Sequence, residues 1–112
     1  MKKVLITGGA GFIGCNYAAR LLQAGHEVTI LDNLSRRGAA SNLEWLEKSF
    51  EGGFAFVRAD VRDADALLLA IDGQDAVVHL AAQVAVTSSV TNPRDDFEIN
   101  ALGTFNVLEG AR

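Results

Sequence analysis

Apolar positions in this chain come in short blocks separated by polar, glycine-rich stretches. Val4-Leu5-Ile6, Val28-Thr29-Ile30-Leu31, Phe54-Ala55-Phe56-Val57 and Ala76-Val77-Val78-His79-Leu80 are continuous runs with many β-branched or aromatic side chains. Runs of that length, apolar on both faces, predict strands covered from both sides. They place strands over 3–7, 28–31, 54–57 and 76–80, with Asp32 and Asp60 closing the second and third. Helical spacing fills the gaps. Phe12, Ala18, Leu21 and Leu22 predict a helix over 12–23, stopped at Gly25. Ser41 or Asn42 is expected to cap a short helix through about Lys48, with Leu43 and Leu46 inward, Trp45 partly covered, and Gly52-Gly53 breaking it. Asp63 is expected to cap a helix carrying Leu67, Leu68 and Ile71 that stops at Gly73. Asn92-Pro93 opens a last helix with proline at its first position, and Phe97, Leu102, Phe105 and Leu108 are expected along one face.

Strand and helix alternate four times, which implies an α/β fold with a parallel sheet and right-handed crossovers. The expected strand order is 3-2-1-4, with helices on both faces. A doubly wound sheet would add a fifth strand beside the fourth, so the expectation is an incomplete Rossmann-like fold. At 112 residues, with no linker composition and no repeat, the chain reads as one unit over 1–112.

Charge and cysteine content narrow the function. A net charge of -4, with Lys2-Lys3 and Arg36-Arg37 as the only close basic pairs, argues against nucleic acid as the main partner. No apolar run is long enough to span a membrane, and the N-terminus leads straight into a strand. The expectation is a cytoplasmic protein with no membrane partner. Cys15 is the single cysteine, so no internal disulfide and no cysteine metal site are expected. Its place in a first helical turn suggests a lowered pKa, although a small residue packed beneath a tight turn is the preferred reading.

The chemistry concentrates where the first strand meets the first helix. Thr7-Gly8-Gly9-Ala10-Gly11-Phe12-Ile13-Gly14 follows a buried strand and opens a helix, the context of a phosphate site. Gly8 would permit the turn, Gly11 the approach of a pyrophosphate, and Gly14 close helix–strand packing. Asp32 lies about where an acid binding an adenosine ribose diol belongs, which favours NAD over NADP. Arg36 and Arg37 are the counter-signal, since guanidiniums accommodate a 2′-phosphate. Asp60-Val61 is placed to read adenine, or simply to begin a loop. Leu80-Ala81-Ala82-Gln83 ends the fourth strand with small residues against which a planar cofactor would lie. His79 reads as a hydrogen-bonded core residue rather than a base, and His26 as a solvent-facing loop residue.

The T-G-x-x-G-x-x-G string resembles the short-chain dehydrogenase/reductase superfamily. Asp32-Asn33-Leu34-Ser35, Asp60-Val61-Arg62, His79–Gln83 and Asn100-Ala101-Leu102-Gly103-Thr104 follow it in the order seen in extended short-chain dehydrogenases, the NAD-dependent nucleotide-sugar epimerases and dehydratases. Within that group, Asp32–Arg36, Asn42–Leu46 and Gln83–Val90 look like the 2-epimerases of CDP-linked dideoxyhexoses. So does Asn92-Pro93 through Asn100. The resemblance implies pyrophosphate on Gly8, Gly11, Phe12 and Ile13, and ribose on Asp32 with Asn33, Ser35 and Arg36. It implies adenine on Asp60 and Val61, nicotinamide beside Leu80, Ala81, Ala82 and Gln83, and Asn100 ordering the site. Thr87, Ser88 and Ser89 would border a sugar pocket, or merely form a capping loop.

The same resemblance implies NAD as cofactor, a nucleotide sugar as substrate and a homo-oligomer at full length. The family's acid/base pair is Tyr-x-x-x-Lys. The only tyrosine is Tyr17, followed by Leu21 where the lysine would stand. No catalytic residue and no metal ligand are assigned, and the pair is expected beyond Arg112, making this the N-terminal part of an NAD-binding domain. A nucleotide-sugar 4,6-dehydratase or UDP-hexose 4-epimerase shares all these cofactor motifs. A non-catalytic NAD-binding sensor or scaffold is the reading from another class.

Overall fold

The structure is a computed structural model that describes residues 1–51, 53–81, 94 and 98–112. Its elements are β1 (Lys3–Thr7), α1 (Phe12–Gln23), β2 (Glu27–Asp32), α2 (Ala39–Phe50), β3 (Ala55–Arg58), α3 (Ala64–Ile71) and β4 (Ala76–His79). A π-helical turn (Glu98–Leu102) then leads into α4 (Gly103–Ala111). The four strands form one parallel sheet in the order β3-β2-β1-β4, as the alternation of elements predicts. Thr7 pairs with Leu31 on one side and His79 on the other, and Asp32 pairs with Arg58. All four C-terminal strand ends therefore reach one edge of the sheet.

The period-two alternation of β1 and β2 divides the core between two faces. Val4, Ile6, Val28 and Ile30 point to α1 and α2, where Cys15, Ala18, Ala19 and Leu46 meet them. Leu5 and Leu31 point the other way, to Val61, Leu67, Ile71 and Val107 from the α3–α4 layer. Leu5, Ile6, Ile30, Leu31, Leu46 and Leu67 are completely enclosed, a burial that stabilises by about 1.5–3 kcal/mol for each such side chain.

Several expectations need correction. α2 starts at Ala39, with Gly38 as N-cap in the left-handed region (φ +86°), so neither Ser41 nor Asn42 is the cap. Asn42 instead donates its side-chain amide to the Ala10 carbonyl at 2.9 Å, tying α2 to the glycine turn. Leu68 faces solvent at 58% exposure, while Leu67 and Ile71 carry the α3 contact. His26 is half-buried and accepts the Lys2 N–H at 3.0 Å. On α4, Phe105 (57%) and Leu108 (65%) are exposed, and Gly103, Asn106 and Val107 form the inward face. Leu102, Phe105 and Leu108 do share a face, and it is the exposed one. The expected helix start at Asn92-Pro93, and Phe97, lie outside the described residues. No helix among the described residues is long and apolar enough to cross a membrane.

Candidate functional site

The turn after β1 is built by backbone contacts that leave no room for side chains. Gly8 adopts φ +72°, and a Cβ there would meet Ala81 N and Leu80 C at 2.8 Å each. Its N–H donates to the Leu31 carbonyl at 2.8 Å, and Gly11 N–H donates to the Gly8 carbonyl at 3.0 Å. A Cβ on Gly14 would run into the Gly8 carbonyl oxygen and approach Gly9 Cα to 2.8 Å. This is the close helix–strand packing expected of that glycine. Gly9 was not singled out by spacing, yet its Cβ would meet the Ile30 side chain at 2.6 Å. Gly11 caps α1 without a side-chain bond, and no acid lies in the first turn, so the helix N-terminus keeps its positive end open. Phe12, at 77% exposure, and Ile13 stand at this opening.

Two carboxylates flank the turn in different states. Asp32 Oδ2 accepts the Ala10 N–H at 3.1 Å and Oδ1 accepts the Leu34 N–H at 2.7 Å. A carboxylate has about four acceptor positions, so Asp32 keeps some for a ligand. Asn33 Oδ1 accepts the Ser35 N–H at 3.0 Å, and Asn33 Nδ2 donates to Asp60 Oδ2 at 3.1 Å. Asp60 also accepts from Arg62 N at 2.8 Å, Nε at 2.9 Å and Nη2 at 2.7 Å. That guanidinium, first among the causes, pulls the Asp60 pKa down to about 2. Asp60 is thus fully engaged, whereas the buried Val61 N–H has no acceptor among the described residues. The Val61 carbonyl accepts Asn106 Nδ2 at 3.0 Å, and Gly103 packs against the Val61 side chain.

Cys15 is buried, its thiol donating to the Phe12 carbonyl, and burial pushes its pKa up. The lowering suggested by the helix dipole is overturned by desolvation, and the packing role holds. His79 is hydrogen-bonded from both ring nitrogens, to Thr7 Oγ1 at 2.6 Å and Thr104 Oγ1 at 3.1 Å. Burial lowers its pKa. The bonding expected of it is present, but the ring is half-buried rather than in the core.

Two adjoining cavities open along this edge and share Gly8, Gly11, Arg36, Leu80 and Ala81. The smaller, about 60 Å³, is lined by Asp32, Asn33, Ser35, Asp60 and Val61 among others. The larger, about 620 Å³, is lined by Phe12, Ile13, Gly14, Arg37, Asn42, His79 and Thr104. Neither Arg36 nor Arg37 makes an ion pair among the described residues. Asn100 lines neither cavity; it sits half-buried on the π-turn, and its carbonyl accepts the Thr104 hydroxyl at 2.6 Å. Ile99 and Ala59 line the smaller cavity without having been singled out, their apolar side chains carrying no distinctive signal, and Asn42, expected only as a helix cap, lines the larger. Ala82, Gln83, Thr87, Ser88 and Ser89 lie outside the described residues. No group of three metal-ligating side chains occurs among the described residues.

Comparison with known proteins places this geometry. The family model described as GDP-mannose 4,6 dehydratase matches residues 5–112. CDP-paratose 2-epimerase of Salmonella typhi is 48% identical over 98% of this chain and 32% of its own length. UDP-glucose 4-epimerase of Mycolicibacterium smegmatis is 46% identical over 98% of this chain and 34% of its own. The chain thus spans about a third of these relatives. Among solved structures, UDP-glucose-4-epimerase of Stenotrophomonas maltophila, with bound NAD and formylated UDP-arabinopyranose, superposes with a TM-score of 0.88 at 35% identity. That match covers 98% of this chain and 33% of that one. With a family match running almost end to end and a parallel sheet of the same shape beneath it, the chain belongs to the GDP-mannose 4,6 dehydratase family of nucleotide-sugar epimerases and dehydratases.

Proposed function

We propose that this chain is the NAD-binding, N-terminal part of a nucleotide-sugar epimerase acting at C2 of a CDP-linked dideoxyhexose such as CDP-paratose. For the cofactor, the observation that carries the reading is the N–H of the buried Val61, which has no acceptor among the described residues and lies at a cavity adjoining a helix N-terminus without a side-chain cap. A buried N–H without an acceptor is rare and marks a place where a ligand completes the bonding. The glycine cradle fits the same ligand, because a Cβ at Gly8 or Gly14 would fill it with backbone clashes. In this reading the N–H groups of the Gly11–Ile13 turn hold the pyrophosphate, aided by the helix dipole. Asp32 accepts ribose hydroxyls with its spare positions, beside Asn33, Ser35 and Arg36. Val61 N–H reads a ring nitrogen of adenine, while Asp60, already holding four donors, keeps Asn33 and Arg62 in place and meets the adenine amino group only at its edge. Leu80 and Ala81 line the cavity on the nicotinamide side, and the family resemblance assigns Ala82 and Gln83 to the nicotinamide and Thr87, Ser88 and Ser89 to the sugar. NAD supplies hydride acceptance from a sugar carbon and hydride return to the opposite face of the resulting keto sugar. The family reading also carries a homo-oligomeric enzyme and a cytoplasmic location.

The choice of sugar rests on the 48% identity to CDP-paratose 2-epimerase. The 46% identity to a UDP-glucose 4-epimerase favours a second reading, epimerisation at C4 of a UDP-hexose. The protein at the full length its gene encodes is to be incubated with CDP-paratose, then with UDP-glucose, in deuterated water. Epimerised CDP sugar without deuterium is the expected product, since the hydride returns directly. Action on UDP-glucose alone would replace the C2 reading with the C4 one. Deuterium incorporated into the sugar carbon skeleton would indicate a dehydratase instead.

A further inference from the structure

One polar chain runs along the Leu80–Ala81 wall of the site, and its side chains, Thr7, His79 and Thr104, are given no ligand contact above. Ala81 N–H donates to Thr7 Oγ1 at 3.3 Å, and Leu80 N–H is shared between the Thr7 carbonyl at 3.0 Å and Thr7 Oγ1 at 3.1 Å. Thr7 Oγ1 lies 2.6 Å from His79 Nδ1, and His79 Nε2 lies 3.1 Å from Thr104 Oγ1. Thr104 Oγ1 in turn donates to the Asn100 carbonyl at 2.6 Å.

Counting protons from the Thr104 end sets the directions of the bonds. A carbonyl only accepts, so the single hydroxyl proton of Thr104 goes to Asn100. Nε2 must then donate to Thr104, which makes it the protonated ring nitrogen. At the other end Thr7 Oγ1 receives the Ala81 N–H and a share of the Leu80 N–H, most of which goes to the Thr7 carbonyl. In a neutral ring with Nε2 protonated, Nδ1 is the acceptor, so the Thr7 hydroxyl proton goes to it. An imidazolium would reverse that bond and crowd a third donor onto Thr7 Oγ1, and partial burial also disfavours the charged ring.

We infer that His79 is a positioning residue. Locked as the neutral Nε2–H tautomer, it fastens the cofactor-facing backbone of Leu80 and Ala81 and the end of β1 to the π-turn that carries Asn100. The spacing at stake is small. Gly8 and the Leu80–Ala81 backbone are already at contact, with a Cβ on Gly8 only 2.8 Å from two of their atoms. Without its Thr104 anchor the ring is free to turn away from Thr7, and the wall beside Gly8 loses its fixed distance from the turn. This inference rests on the NAD reading of the site.

Two measurements on the full-length protein test it. Nitrogen-detected NMR of protein labelled with 15N-histidine should give His79 a protonated Nε2 and an unprotonated Nδ1 at neutral pH. A Nδ1–H tautomer or an imidazolium would overturn the relay. Calorimetric titration with NAD should show Thr104→Val weakening binding by about fivefold to tenfold, with Thr104→Ser within about twofold of the parent. Equal affinity in the parent and a folded Thr104→Val, or equal losses in the Val and Ser variants, would overturn the positioning role. A parent protein that binds no NAD would bring down the cofactor reading and the positioning role with it, whereas the tautomer is decided by the spectrum alone. Should Thr104→Val fail to fold, the parent's ring spectrum and the Ser variant still decide the relay.

Discussion

Asp32 and Asp60 close neighbouring strands, yet their carboxylates are prepared for opposite tasks. Asp32 is held by two backbone N–H groups and keeps spare acceptor positions, so it is suited to a ligand diol. Asp32→Ala is expected to weaken NAD by about tenfold to a hundredfold, the range for a hydrogen bond to a charged group, and NADP by less. Titration of both cofactors checks this; tighter binding of NADP by the parent would hand the subsite to Arg36 and Arg37. Asp60 spends its charge inside the protein. Its pKa falls from 3.8 to about 2, mainly through the Arg62 side chain. A depressed carboxylate pKa adds stability above the unfolded value, and that stability is lost as pH falls through the folded one. The expected contribution, reduced for partial exposure, is about 1–2 kcal/mol near neutrality, disappearing between about pH 4 and pH 2. Urea unfolding of parent and Asp60→Asn should therefore differ at about pH 6 and converge at about pH 2.

At the scale of elements, α3 is the clearest case of a helix written into its own ends. Asp63 accepts the Ala66 N–H at 3.2 Å, as its place before an apolar helical run predicts. Asp63→Ala should cost about 1 kcal/mol in denaturant unfolding, and Asp63→Ser much less. α1 was equally legible, running Phe12–Gln23 with its glycine stop beyond. α2 was less so, because its start depends on a left-handed Gly38, and Asn42, which has the chemistry of a cap, is used to hold the glycine turn. α4 misled for a physical reason. Its apolar residues share a helical face, but that face is exposed, and the inward face carries Gly103 and Asn106 beside Val107, a small and a polar residue that apolar periodicity does not mark. The close approach of Gly9 to Ile30 was hidden too, since contact between distant backbone and side chain has no local signal.

For the molecule as a whole, the order of elements was enough to give the sheet. Alternating strands and helices with right-handed crossovers leave few arrangements, and β3-β2-β1-β4 is the expected one. The site edge followed, because every strand in a parallel sheet ends on the same side. Residue-by-residue bonding at that edge, above all the Thr7–His79–Thr104 chain, needed the folded geometry. A polypeptide of these 112 residues, lacking Tyr-x-x-x-Lys, is expected to convert no CDP-paratose when incubated with NAD; product analysis checks this, and epimerised product would relocate the acid/base chemistry. The placement of β1 has a further consequence, in the time domain. Of the four strands described, the one synthesised first is central in the sheet, and its pairing of Thr7 with His79 spans 72 residues. Local helices form within microseconds, but this pairing must wait until β4 has been made and then close a long loop. During synthesis the Val4–Ile6 stretch therefore stays without one of its two neighbours until β4 emerges, and it is there that a stalled or truncated nascent chain should first attract chaperones or aggregate.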